Sequence, residues 1–500
     1  MIYKFIDDKG TFRVKNPHKH NLYFPLTNKD GSILSSISPN LAGDIKKDNE
    51  HFLTLPAGIE DLRSNFLTRR DFFIKTKSEC LRLSFPYNDT LEAGLLYHKI
   101  IKQTKSLEIE ILNFVPFDVS VELMRIKVKN RSGKDIKIVP TSFIPLYGRS
   151  EKCLRDHRHV TSLLNRVYLG KQGIYLKPTM VFDENGHKAN ETTYFVLGFE
   201  NEGLAPIGQF PSLDYFYGQG DILHPDAIEK AVQPAIRESP EFDGKEACAA
   251  FRFRERILKK DQEADYFLIM GIEDNSKNIK DVFKRFNSPR KVEHSFEAAK
   301  KYWQGYLSGL EFDFGNKDFN NWLVWVKLQP DLRKLFGCSF LPHFDYGKGG
   351  RGWRDLWQDA LTLLLTQAGQ EAKSFLINNF KGVRVDGSNA TIITKDGEFL
   401  SDRNRISRVW MDHGIWPYLT LRLYLNKTGD MDILLQEDTY FQDHQFKRAK
   451  EIIRERRNEN YILYTKEGKV CQGSILEHIL IQNLVQFFNV GRHNIIRLEN

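Results

Sequence analysis

The sequence predicts a multidomain β + α fold: an N-terminal antiparallel β-sandwich, then a helical linker and an incomplete barrel of paired helices. Three observations lead there. Up to about Gly271 apolar and polar residues alternate at the two-residue period of half-buried strands. From Ser276 the apolar spacing lengthens to that of amphipathic helices. At 500 residues the chain exceeds what one ordinary core accommodates, so two or three domains are expected. The expected boundaries are 1–272 for the sandwich, 273–315 for the linker and 316–500 for the partial barrel.

The strands are read from alternation in Leu107-Ile109-Ile111, Val119-Val121-Leu123 and Ile136-Ile138, followed by Tyr194 to Phe199, Ala249 to Ile257 and Tyr266 to Gly271. Turn residues such as Asn130 to Gly133 separate them, and few helical periods intervene, which favours an antiparallel sandwich. Glu200 to Pro240 holds several Gly and Pro residues and is expected to be a long surface excursion. SKNIKDVFKRF and HSFEAAKKYWQGYLSGL then read as linker helices. Beyond them the candidate helices are Asp318 to Lys334, Leu356 to Ala368, Glu371 to Phe380, Ile415 to Asn426, Asp443 to Arg457 and Ser474 to Phe488. Polar and glycine-rich loops join them, as expected of helices packed in pairs around a centre. Six or seven helices make half of a large helical barrel, so the expectation at Asn500 is a fragment of a longer protein or a chain that cannot catalyse alone.

Composition narrows the class. Hydrophobic residues at 41% and charged ones at 28% describe a soluble globular protein, and no apolar run is long enough to cross a bilayer. The N-terminal MIYKFIDDKGTFRV has acidic residues where a secretory signal carries its apolar core, so cytoplasm is the expected location. The five cysteines, Cys80, Cys153, Cys248, Cys338 and Cys471, are widely spaced without a CxxC pair and read as free thiols. The net charge of +8 is spread among nearly as many acids as bases, so no nucleic-acid partner is expected.

Gly347 to Asp359, GKGGRGWRDLWQD, is the most informative stretch. Glycines allow close backbone approach, Lys348 and Arg351 suit a phosphate or carboxylate, and a helix start adds exposed N–H groups. In the helix that follows, Leu356, Trp357, Ala360, Leu361, Leu364 and Leu365 form a broad apolar surface. Asp355, Gln358, Asp359 and Thr362 fall three or four apart on a narrower face, which is costly to bury unless each group is paired or faces a wet cavity. Sugar hydroxyls offer such pairing. A buried Arg-Asp pair or a helix cap is the purely structural alternative.

A second dense segment, Ser401 to Asp430, sets Asp412 and His413 between Trp410 and Trp416. A carboxyl group against indole rings is desolvated, which raises its pKa toward the range of a general acid. Pro417 fits the first turn of a helix and leaves Asp412 on the loop feeding it, where capping is the structural alternative. Arg403, Arg405 and Arg408 either gather charge around an anionic substrate or form a solvated strip. A third cluster gathers Arg155, Asp156, His157, Arg158 and His159 in the sandwich domain. Without a third distant ligand it argues against a metal, and a loop meeting the helical domain or a neighbouring subunit is expected.

Taken together, RGWRDLWQDALTLLL and RVWMDHGIWPYLTLRLYLNKTGD resemble the inverting glycoside phosphorylases of the cellobiose phosphorylase family, glycoside hydrolase family 94. That family pairs a G-F-R-D-x-x-Q-D loop and helix with a later D-D-x-x-W-x-P-Y segment ending in T-G-D. Gly352, Arg354, Asp355, Gln358 and Asp359 match the first, and Asp412, Pro417, Tyr418, Thr428, Gly429 and Asp430 match the second. Met411 replaces the first Asp of the pair, Trp416 stands directly before Pro417, and neither Arg351 nor Lys348 aligns cleanly with the family's phosphate-binding Arg.

The resemblance implies a β-sandwich, a helical linker and an (α/α)6 barrel, with phosphorolysis of a β-linked gluco-disaccharide or oligosaccharide at the barrel mouth, with inversion, giving an α-sugar 1-phosphate. It carries the general acid to Asp412 and donor-sugar contacts to Arg354 and Asp355, with Gln358, Asp359 and Trp416 as further substrate contacts. Phosphate itself attacks the anomeric carbon, so one acid suffices, and Lys348 and Arg351 are the loop candidates to hold it. Inorganic phosphate is the co-substrate, no cofactor or metal is expected, and family members are commonly homodimers. The competing readings are an inverting hydrolase and an inactive sugar-binding fragment.

Overall fold

The computed structural model describes residues 2–155, 158–183, 186–230, 232–275, 277–336, 351–365, 369–393, 399–400, 412–442, 462–488 and 490–495. The expected helix Asp443 to Arg457, the loop residue Lys348 and Ser401 to Met411 lie outside them. The chain divides into two compact units, Met1–Leu307 with Asp313–Trp325 and Leu341–Phe344, and Ser308–Phe312 with Val326–Phe340 and Asp345–Asn500.

The first unit is built on a 10-stranded antiparallel sheet whose centre runs Leu107–Phe114, Val121–Asn130, Glu263–Glu273, Thr193–Glu200. A 6-stranded sheet, with Ile136–Pro145 between Ala247–Arg252 and Asp71–Lys75, packs on one face. There Ile109, Ile126, Tyr266 and Leu268 meet Phe72, Ile74, Ile144 and Phe251 in one buried cluster. The side-chain period of two sends Phe267 and Ile269 to the opposite face, with Phe114 and Phe195. That face is covered by helices Lys277–Phe286 and Pro289–Tyr306 through Ile279, Phe286, Val292 and Phe296. Burial on both faces explains why YFLIMGI is continuously apolar instead of alternating. The 273–315 segment, expected as a linker, thus supplies two helices that pack on the sheet.

Two strand expectations need correction. Ala249 to Ile257 is not one strand: Ala247–Arg252 pairs with Thr141 to Pro145, whereas Arg256–Leu258 pairs with Ile136 to Ile138. Within Glu200 to Pro240, expected as a surface excursion, Gly208–Ser212 is a wholly buried strand paired with Ala247–Arg252. Its Gly and Pro residues suggested a loop, but it lies at the sheet's edge, where missing side chains and a missing N–H are tolerated.

In the second unit the described helices include Trp353–Leu365, Gly369–Phe380, Ile415–Thr428 and Ile475–Phe488, together with the later part of Lys317–Phe336. The first four of these share one core in which Leu356, Trp357 and Ala360 meet Leu376, Phe380, Leu421 and Ile479. Among the described residues these helices form no closed barrel. No described helix is long and apolar enough to cross a membrane.

Candidate active site

The glycine-rich loop ends in a two-residue strand, Arg351–Gly352, paired with Ile392–Ile393, and the helix Trp353–Leu365 starts at the next residue. The Trp353 N–H donates to the Thr391 carbonyl at 2.9 Å, so one donor of the helix start is already taken. Arg351, expected to hold phosphate, is buried, with its guanidinium 3.6 Å from Asp359 and over the Phe375 ring. The cause lies on the helix: Asp359 is only 3% exposed and needs cationic partners. Arg333 supplies the closer one, with Nε and Nη2 both donating to its carboxylate. Burial pushes the Asp359 pKa up, and the two arginines oppose that shift. Asp359, expected as a sugar contact, is therefore held in the buried Arg-Asp arrangement that was the structural alternative.

The two motif segments meet at the start of this helix. The Trp353 indole N–H donates to the His413 carbonyl at 3.0 Å, which pins the Asp412-His413 backbone. One residue on, Arg354 grips Asp412 in a two-pronged ion pair, Nε to Oδ2 at 2.6 Å and Nη2 to Oδ1 at 3.0 Å. The Trp416 indole N–H donates to the same Oδ2 at 3.1 Å. The Asp412 carbonyl accepts from the N–H groups of Ile415 and Trp416, but its side chain makes no capping bond to the helix Ile415–Thr428. The carboxylate is thus left for Arg354 and Trp416.

These contacts reverse the expected titration of Asp412. Burial pushes its pKa up, but hydrogen bonds from Trp416 and Arg354, with the Arg354 charge, outweigh it and hold the carboxyl below its ordinary value. The indole meets the carboxylate with its polar N–H and not with its apolar face, which is why desolvation does not prevail. His413 is buried, and burial pushes its pKa down to about 4.

Asp355 and Gln358 are half-buried and make no hydrogen bond among the described residues, which leaves them available to a ligand's hydroxyls. Thr428, Gly429 and Asp430 end the second motif as a helix stop. Gly429 adopts φ +69° and its N–H returns to the Leu425 carbonyl at 2.9 Å. Asp430 accepts from the Tyr424 hydroxyl and from Lys373 at 2.6 Å each. Of the third cluster, Asp156 and His157 lie outside the described residues, and Arg158 pairs with Glu246 at 2.7 Å. No group of three or more His, Cys, Asp or Glu residues able to hold a metal occurs among the described residues.

Residues 87–289, spanning most of the large sheet and its first covering helix, match the glycosyl hydrolase 94 supersandwich domain. That segment is similar to glycoside hydrolase family 94 in its sandwich domain. The chain is 23% identical over 358 residues to the cyclic β-(1,2)-glucan synthase NdvB of Rhizobium meliloti, covering 69% of this chain and 11% of that one. It is 22% identical over 383 residues to a cellobionic acid phosphorylase of Neurospora crassa, covering 74% of this chain and 44% of the relative. The chain thus spans less than half the length of either relative. A bacterial glucoamylase solved with acarbose superposes with a TM-score of 0.53 at 13% identity, over 81% of this chain and 55% of that one, a likeness of fold alone.

Arg333 and Trp353 were not singled out from sequence, and His413 was named only beside Asp412 and given no role. Asp359 on an apolar helix signalled that a cation was needed, but nothing local distinguished Arg333 from the other bases that precede the loop.

Proposed function

We propose that this chain is a member of glycoside hydrolase family 94 and carries the general-acid and donor-sugar part of a glycoside phosphorylase site. The reaction is cleavage of a β-linked gluco-disaccharide or oligosaccharide by inorganic phosphate, with inversion, to an α-sugar 1-phosphate. The observation that carries this reading is the Arg354 clamp on Asp412 beside the Trp416 indole.

In the ligand-free arrangement Asp412 is ionised and cannot donate a proton. Arg354 is half-exposed and donor-only, so the hydroxyls of a bound sugar compete for it. Once Arg354 turns to the sugar, its hydrogen bond and charge no longer hold the Asp412 pKa down, and burial, opposed by the Trp416 hydrogen bond and His413, moves it upward. The protonated carboxyl then gives its proton to the glycosidic oxygen as that bond breaks, and a phosphate oxygen bonds to the anomeric carbon from the opposite face. Asp355 and Gln358 are the further sugar contacts. Arg351 would have to leave Asp359 to reach phosphate, so Lys348 is the loop cation assigned to it.

The test is incubation with a panel of β-linked gluco-disaccharides, with and without phosphate, followed by phosphorus NMR. Formation of α-sugar 1-phosphate only when phosphate is present supports the proposal. Release of free sugars in phosphate-free buffer overturns it in favour of hydrolysis, and sugar binding without turnover favours the inactive sugar-binding reading.

A further inference from the structure

We propose that the N-terminal unit carries a second ligand site, a pocket for a single hexopyranose ring, lined by the turn Pro17–His20, the strand-joining residues Ser38 to Asn40 and the short helix Asp61–Ser64. The cavity measures about 220 Å³. That is below the roughly 300–1,000 Å³ of sites for larger ligands and suits one sugar ring.

Four polar side chains line this cavity without a hydrogen bond among the described residues: His18, Asn21, Tyr23 and Arg63. The Arg63 guanidinium has only a 4.0 Å approach from Glu60, which is itself exposed. Burial pushes the Tyr23 pKa up, so its hydroxyl remains a donor. The walls, in contrast, are already fixed. Asn40 Nδ2 donates to the Leu62 carbonyl at 2.9 Å and Ser38 donates to Asn40 Oδ1, while the Tyr23 ring packs against Ala42, Ala57 and Leu62. The pocket is therefore formed before a ligand arrives, and its lining offers donors and acceptors, with Asn21 and Arg63 also open to solvent.

That set selects a neutral polyol ring over a bare anion. Sugar hydroxyls accept from Arg63 and Tyr23 and both donate to and accept from Asn21, while the C–H face of the ring lies against Pro17, Ile59 and Leu62. Phosphate would leave the Asn21 carbonyl oxygen unmatched and the apolar wall uncovered.

The experiment is calorimetric titration of D-glucose into the full chain in an Arg354→Ala background, which weakens the site of the proposed function, so that any effect of the added pocket variants reports on the pocket. Glucose is expected to bind, and Tyr23→Phe or Arg63→Ala added to that background is expected to weaken it about tenfold, the loss of one hydrogen bond. Unfolding temperatures identify any variant that fails to fold, and Tyr23→Phe preserves the ring. Absence of binding in Arg354→Ala, unchanged affinity in both added variants, or displacement of glucose by inorganic phosphate would overturn the proposal.

Discussion

Asp412→Asn separates the proton from the geometry. Asparagine keeps an oxygen for the Trp416 indole N–H but loses the charge that Arg354 grips. The paired side chains are 46% and 33% exposed, so the lost ion pair costs stability of only about 0 to 1 kcal/mol. In a domain of this size that is about 2 to 4 °C in Tm at most. Loss of the acid is expected to cost about 10² to 10⁴ in rate on a disaccharide, whose sugar leaving group needs protonation. On an aryl β-glycoside with an acidic phenol the loss is expected to be far smaller, because that leaving group departs unprotonated. The assay is phosphate-dependent turnover of both substrates by wild type and variant, with calorimetric unfolding alongside. An equal loss on both substrates, or none on the disaccharide, would refute the acid role of Asp412.

Arg354→Ala is expected to raise the Asp412 pKa, since its hydrogen bond and charge no longer lower it, and to raise KM for the sugar about tenfold or more through a lost charge-assisted hydrogen bond, checked by initial rates. Arg333→Leu leaves the buried Asp359 with only the longer Arg351 contact and is expected to cost about 3 kcal/mol in denaturant unfolding. Gly429→Ala meets no neighbouring atom but forces an alanine to φ +69°, so a loss of about 1 to 2 kcal/mol is expected by the same measurement. His413 has its folded pKa lowered from 6.5 to about 4, so the unfolded chain binds the extra proton between those values. Its contribution, on the order of 3 kcal/mol at most, is expected to be lost as pH falls from about 6.5 to about 4, and Asp412 adds a further loss as pH falls through its depressed pKa. Unfolding followed against pH checks both.

Local periodicity made the helices legible. Trp353–Leu365 and Ile415–Thr428 lie within a few residues of their expected bounds because each carries its own apolar face and, in the second, a proline in the first turn. The pairing of the two motifs was legible as chemistry but not as geometry. Arg354 and Asp412 are 58 positions apart, and the Trp353 hydrogen bond to His413 that brings their segments together leaves no local pattern. The same limit hid the strand Gly208–Ser212, whose partner lies at Ala247–Arg252 and whose composition resembles a loop. The Asp412 titration was misjudged for a finer reason: an indole can desolvate a carboxylate or donate to it, and only the ring's orientation decides.

The displacement of Arg354 by a sugar is tested most directly by carbon-13 NMR titration of the Asp412 carboxyl, with and without a saturating β-linked gluco-disaccharide. Without sugar its midpoint should lie below that of an ordinary aspartate, and with sugar it should rise above it. A midpoint that stays low when sugar is bound would contradict the proposed release of Asp412 from Arg354.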